Sequence, residues 1–131
     1  MRYFGIDYGL KRIGIAISDD EGRMAFPAGV IPNRGGNMAR REIVRRIKKE
    51  NIGSVVVGLP VGLDGKETEQ TETTRSFIVG LKKLIKIPVE TENEMLTSRM
   101  ATASGMTDHH IDASSAAIIL QSYLDTINRK K

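Results

Sequence analysis

Tyr3-Phe4-Gly5-Ile6-Asp7-Tyr8-Gly9-Leu10-Lys11-Arg12-Ile13-Gly14-Ile15-Ala16-Ile17-Ser18 reads as two apolar strands joined by a glycine-containing turn, a hairpin over residues 2–8 and 12–19. A carboxylate, Asp7, stands in the first strand. Strand interiors select against aspartate, and burying an unpaired charge is expensive. An acid held there needs a cation. The competing reading is a turn aspartate bonded to its own backbone beside Gly9. The rest of the chain decides between the two.

Working outward, Asp19-Asp20-Glu21-Gly22 makes a turn, and residues 24–31 form a third strand. Pro27 and Pro32 place that strand at an edge or interrupt it. After the loop Pro32-Asn33-Arg34-Gly35-Gly36, a helix runs to about Glu50, with Ile43, Val44 and Ile47 as its buried stripe. Ser54-Val55-Val56-Val57-Gly58-Leu59 cannot alternate polar with apolar. Both its faces are therefore covered, as in a central parallel strand. Pro60 stops it, and residues 61–66 form a flexible loop. A helix over 67–84 carries Phe77, Ile78, Leu81 and Leu84 in its core face, and a fifth strand covers 87–91. Two helices, 97–104 and 112–128, close the chain. In the last, Ala116, Ala117, Leu120, Leu124 and Ile127 make one apolar stripe whose small residues allow close approach to a sheet.

The predicted fold is α/β, with a single domain over residues 1–131. Three antiparallel strands lead, two right-handed crossovers follow, and helices cover both faces of a mixed five-stranded sheet. The chain has no cysteine, so disulfides and thiolate metal sites are excluded. The start, Met1-Arg2-Tyr3, leads straight into a strand, no apolar run approaches bilayer length, and a cytoplasmic protein without a membrane partner is expected. The net charge of +4 is uneven. Residues 40–50 alone hold Arg40, Arg41, Arg45, Arg46, Lys48 and Lys49 against two acids. This bias suits a polyanionic partner; the alternative is a solvated helix face.

Ligands of such sheets collect beyond the carboxyl ends of the parallel strands. Asp7 ends strand one, Glu94 follows strand five, and Asp112 opens the final helix. Two carboxylates about 4 Å apart repel by about 4 kcal/mol at an effective dielectric near 20, so three converging acids require a cation. An oxygen-only ligand set suits Mg²⁺ or Mn²⁺. Paired ions of that kind activate water and stabilise the leaving oxygen of a phosphodiester. Plainer roles stand beside these. Asp112 is well placed as a helix N-cap, and Glu92, on the same strand face as Glu94, is an alternative ligand. Asp108 is an auxiliary carboxylate, His109-His110 an exposed pair, and Thr97 and Ser98 either cap a helix or hydrogen-bond a phosphate, with capping the plainer role. Lys11 and Arg12 lie beside Asp7, as turn residues or as phosphate contacts.

These residues together resemble the YqgF family, nucleases of 16S rRNA precursor processing that are also described as Holliday-junction-resolvase-like and share the RNase H-like fold. The resemblance is carried by residues 5–19, by Val56-Val57-Gly58-Leu59-Pro60 with Asp64-Gly65, and by Ile111-Asp112-Ala113-Ser114-Ser115-Ala116-Ala117-Ile118-Ile119-Leu120-Gln121-Ser122-Tyr123-Leu124. It covers nearly the whole chain. It implies a metal-dependent nuclease whose acids map onto Asp7, Glu94 and Asp112. The family pattern Asp-Glu-Arg-Leu-Thr appears here as Asn93-Glu94-Met95-Leu96-Thr97. The glutamate is kept, the preceding acid is neutral, and no arginine follows to contact phosphate.

The leading expectation is cleavage of structured RNA at the 5′ end of the small-subunit rRNA precursor, with Arg40, Arg41, Arg45 and Arg46 steering the polyanion. The same chemistry resolves four-way DNA junctions, where two cuts call for a homodimer. A non-catalytic RNA-binding assembly protein is a second class. A third is an actin-like ATP-binding phosphotransferase, disfavoured because such enzymes need two lobes and one lobe takes the whole chain here.

Overall fold

The opening hairpin forms as the sequence predicts. In the computed structural model, which describes residues 1–62, 64–94 and 113–130, β1 (Tyr3–Tyr8) pairs antiparallel with β2 (Arg12–Ser18), Phe4 opposite Ile17 and Asp7 opposite Gly14. β3 (Ala25–Pro32) adds antiparallel to β2. α1 (Gly36–Lys49) then crosses over to β4 (Ser54–Leu59), and α2 (Glu69–Lys82) crosses to β5 (Val89–Asn93). β4 pairs parallel with both β1 and β5, giving the sheet order β3-β2-β1-β4-β5. α3 (Ala113–Arg129) closes the fold. This is the mixed five-stranded sheet that the sequence predicts.

The pleat divides the core in two. Phe4 and Ile6 of β1 and Val55 and Val57 of β4 face α1 and α2, where Ile43, Ile47, Phe77, Ile78 and Leu81 complete one buried cluster. Val56 and Ala16 face the other way and meet Ala116, Ile119, Leu120 and Leu124 of α3. Each Ile, Leu or Phe so buried contributes about 1.5–3 kcal/mol relative to exposure. β4 is buried on both faces, as its unbroken apolar run requires. Gly5 lets α3 lie against β1: a Cβ there would stand 2.8 Å from Leu120 Cβ and 3.2 Å from the Ala116 carbonyl oxygen.

β3 accommodates both prolines because it is an edge strand. Its pairing slips between Ile15 and Ala16, where Ala16 faces Pro27 and Gly29 takes φ +125°. α2 begins at a capping box in which Thr68 and Thr71 each bond the other's backbone. The Thr71 hydroxyl also donates to the Pro60 carbonyl, tying the helix start to the end of β4. Three expectations shift. α2 ends at Lys82, so Leu84 lies past the helix and is exposed instead of filling the core. β5 begins at Val89 and runs through Asn93, because its pairing with β4 starts at Val55–Val89. α2 starts at Glu69, where the cap places it. The predicted helix over 97–104 lies outside the described residues.

Candidate active site

β1, β4 and β5 run parallel, so their carboxyl ends share one edge of the sheet. Asp7 is the penultimate residue of β1, within the paired strand and buried. Asp7 thus stands in the strand ladder and not in the turn at Gly9. The register sets Ile6 beside Val57, Gly58 beside Glu92 and Leu59 beside Asn93. Glu94 follows, its N–H donating to the Leu59 carbonyl at 3.2 Å. Period two therefore puts Asp7, Gly58, Glu92 and Glu94 on the α3 face of the sheet.

β4 lies between the two acids, and Gly58 opens the way between them. A Cβ at Gly58 would stand 2.3 Å from Glu94 Oε2 and 2.6 Å from Ile119 Cδ1. The Glu94 carboxyl thus occupies the space above Gly58 and hydrogen-bonds the carboxyl of Asp7. Burial pushes the Glu94 carboxyl up to about 8, and the Asp7 charge and the carboxyl–carboxyl hydrogen bond push in the same direction. Two carboxyls can share a hydrogen bond only with a proton between them, so the pair titrates as a unit. Glu94 Oε2 is buried and has no hydrogen-bond partner among the described residues. Such an orphan is rare in folded proteins.

Glu92 has a different occupation. Its Oε2 accepts a 2.7 Å hydrogen bond from the Ser122 hydroxyl of α3. It fastens the helix to β5 while Glu94 meets Asp7. The helix runs away from the acidic edge. Ile119 packs at Gly58, Gln121 bonds Ala25 and Arg23, and Asn128 reaches the Gly22 carbonyl. Its first described residue, Ala113, therefore lies towards the carboxylate edge, about 9 Å along the axis from Ile119. Asp112 itself lies outside the described residues, as do Thr97, Ser98, Asp108, His109 and His110.

The predicted cations divide by position. Lys11 and Arg12 are exposed on the β1–β2 turn, beside Asp7 in the chain. Arg41 is exposed on α1. Arg45 and Arg46 are engaged by Glu42, at 2.6 and 3.2 Å, and hold its carboxyl well below the usual carboxylate range. Arg40 lies 5.6 Å over the ring of Phe77. Its guanidinium fits against α2 because residue 80 is glycine, whose Cβ would sit 2.5 Å from Arg40 Nε. α1 covers the face opposite α3. Sequence inspection passes over Gly58 as a functional position; a lone glycine inside a β-branched run is the signal that marks it.

The donors fit a hard divalent cation. Two carboxyls converge, one oxygen lacks a partner among the described residues, and the cradle exists only because residue 58 has no side chain. A five-stranded mixed sheet with an acidic pair at the carboxyl edge and α3 strapped across it defines the RNase H-like class to which junction resolvases belong. RuvC of Thermus thermophilus, solved in complex with Holliday junction substrate, superposes with TM-score 0.64 at 12% identity, over 98% of this chain and 96% of that one. The fowlpox virus resolvase solved with Holliday junction DNA gives 0.59 at 16% identity, over 97% and 99%. Within that class the chain belongs to the RuvX family, described as Holliday junction resolvase, whose family pattern matches residues 1–126. It is 33% identical to the "Putative pre-16S rRNA nuclease" of Maridesulfovibrio salexigens, over 95% of this chain and 98% of that protein. A protein of the same name in Nitratidesulfovibrio vulgaris is 38% identical, over 95% and 94%.

Proposed function

We propose that this chain is a cytoplasmic, divalent-metal-dependent nuclease that hydrolyses phosphodiester bonds of structured RNA, with the 5′ end of the 16S rRNA precursor as its substrate. The observation that carries the reading is the buried Asp7–Glu94 pair over Gly58, with one carboxyl oxygen left without a partner among the described residues. Family membership and the names of the relatives support it.

Asp7 and Glu94 would hold Mg²⁺ or Mn²⁺, with Asp112 as the third carboxylate. Such an ion would supply Lewis acidity that activates water and stabilises charge on the leaving oxygen. The chain's own contributions are geometric and electrostatic. β1 and β5 hold the acids in register, and Gly58 leaves room for Glu94 to lie against Asp7. Ile119 and the strand backbone shield Glu94 from solvent. Releasing the shared proton takes the pair from a singly charged couple to a doubly charged ligand set. Hydrolysis then adds water across one P–O bond.

Purified protein incubated with labelled precursor rRNA in Mg²⁺, Mn²⁺ or EDTA tests this. Metal-dependent cleavage that disappears in Asp7→Asn is the expected result. Tight binding without cleavage in either metal would instead identify an RNA-binding assembly factor. The family description favours a second substrate, a four-way DNA junction. Symmetric resolution takes two copies, so the junction arm is read together with the mass of the protein–junction complex.

A further inference from the structure

The β3–α1 loop is built onto the acidic edge. Asn33 donates its backbone N–H to the Lys11 carbonyl at 2.9 Å and its Nδ2 to the Gly9 carbonyl at 2.7 Å. The Gly35 N–H points back at Asn33 Oδ1 at 3.5 Å. Gly9 is two residues from Asp7, at most about 7 Å of chain. Arg12 pairs across the ladder with Pro32. Gly35 takes φ +129°, a backbone region that favours glycine, and nothing lies within 4 Å of where its Cβ would be. Asn33 therefore pins two turns together, and the residue beside it, Arg34, is exposed at an open tip.

Lys11, Arg12 and Arg34 form no ion pair among the described residues. Arg45 and Arg46, by contrast, are occupied by Glu42 on the far-face helix. Asn33 thus pins the backbone that carries Lys11, Arg12 and Arg34 beside a carboxylate pair that itself repels anions. A polyanion approaching the pair requires compensating positive charge beside it, and pinned backbone brings the three cations to that edge without ordering the loop on binding.

We infer that Arg34 acts with Lys11 and Arg12 as a backbone clamp, gripping phosphates of the nucleic-acid strand that enters the Asp7–Glu94 edge. The clamp rests on the nuclease reading for its placement and adds the residue Arg34 and the docking face. The chemistry recognised is the sugar–phosphate backbone. It is shared by structured RNA and branched DNA.

The test is fluorescence anisotropy in EDTA, from 50 to 200 mM salt by the usual counterion-release range, on two labelled probes: a structured RNA with the sequence of a precursor rRNA end and a four-way DNA junction. The proteins are wild type, Arg34→Gln, Lys11→Gln, their double variant and Lys83→Gln. Lys83 is exposed beyond the far end of α2, and its substitution removes the same single charge. Each lost phosphate contact lowers the slope of log K against log salt by about 0.7 on single strands and 0.9 on duplex. The double variant should lose roughly twice that, while Lys83→Gln keeps the wild-type slope. Loss on the RNA, the junction or both supports the clamp and tells which backbone it grips. A double variant with the slope of Lys83→Gln on both probes overturns it, as does wild-type protein that binds neither. Cleavage in Mg²⁺ is scored separately. Wild-type protein that binds both probes with the clamp's slopes but cuts neither ends the nuclease reading and leaves the clamp standing. Metal-dependent cleavage with unchanged slopes ends the clamp alone.

Discussion

Replacing Gly58 with alanine should separate the fold from the site. The new Cβ would stand 2.3 Å from Glu94 Oε2 and 2.6 Å from Ile119 Cδ1, whereas ordinary contact begins near 3.4 Å. The shortfall against the oxygen exceeds an ångström. Both obstructing atoms are the ends of side chains, so β4 need not leave the sheet; the Glu94 carboxyl must leave Asp7. Overpacking of this kind costs about 1–3 kcal/mol. The lower entropy of the unfolded alanine chain returns about 0.4–1 kcal/mol. The net loss lies between about 0 and 2.6 kcal/mol, a fall of at most roughly 10 °C in Tm for a chain of this size. The site should suffer more, because misplacing a catalytic group by about 1 Å removes about 10²-fold in rate. Calorimetric titration with Mn²⁺, cleavage of labelled precursor rRNA and thermal melting read the three quantities. Adding Glu94→Ala to Gly58→Ala should recover stability without recovering cleavage. A Gly58→Ala protein that binds Mn²⁺ and cuts RNA as wild type does would refute the argument that glycine makes the cradle.

Gly5→Ala should behave in the opposite way. Its Cβ would press on Leu120 Cβ and on the backbone oxygen of Ala116, which yield only if α3 shifts. A loss of about 1–3 kcal/mol in denaturant melts is expected; an unperturbed midpoint would contradict the close helix–sheet contact. In metal-free protein, folded Glu94 keeps its proton up to about pH 8, while the unfolded chain gives it up near 4.5. The unfolded state then binds fewer protons across that window, so stability falls as pH rises through it. Glu94→Gln should flatten this fall and, in EDTA, melt above wild type at about pH 8.5; parallel pH–Tm curves for the two proteins would rule out the raised carboxyl. Asp7→Asn removes one anionic ligand and should abolish the stabilisation that millimolar Mn²⁺ gives the wild type, along with cleavage. A thermal shift equal to that of wild type would place the metal elsewhere.

Much of the architecture was legible in residues 1–18 and 54–59. Two apolar runs around a glycine-containing turn set the hairpin, and the β-branched run of β4 could only be a doubly covered strand, as its burial shows. Element ends were harder. The start of α2 depends on Thr71 reaching both Thr68 and Pro60, a contact no periodicity encodes, and its end at Lys82 leaves Leu84 past the helix and exposed. At the site, Asp7 was conspicuous because a carboxylate in an apolar strand has no cheap explanation. The choice between Glu92 and Glu94 was not legible, since both share a face. It turns on Ser122, thirty residues on, taking Glu92, and on the missing side chain at Gly58. On the basic helix, charge density alone suggested Arg45 and Arg46 as contacts; the coordinates add that both pair with Glu42.

The hydrogen-bonded carboxyls have a consequence for how the proposed site would take up an ion. With Glu94 raised to about 8, a cation must evict H⁺ to enter. Below that pH the two compete, and apparent affinity should drop by about tenfold per unit of acidification. Uptake of one ion then liberates close to one proton. Calorimetry at about pH 7 in buffers of different ionisation enthalpy would expose that exchange as heat that varies with the buffer, and identical heats in all of them would mean that no proton guards the empty seat.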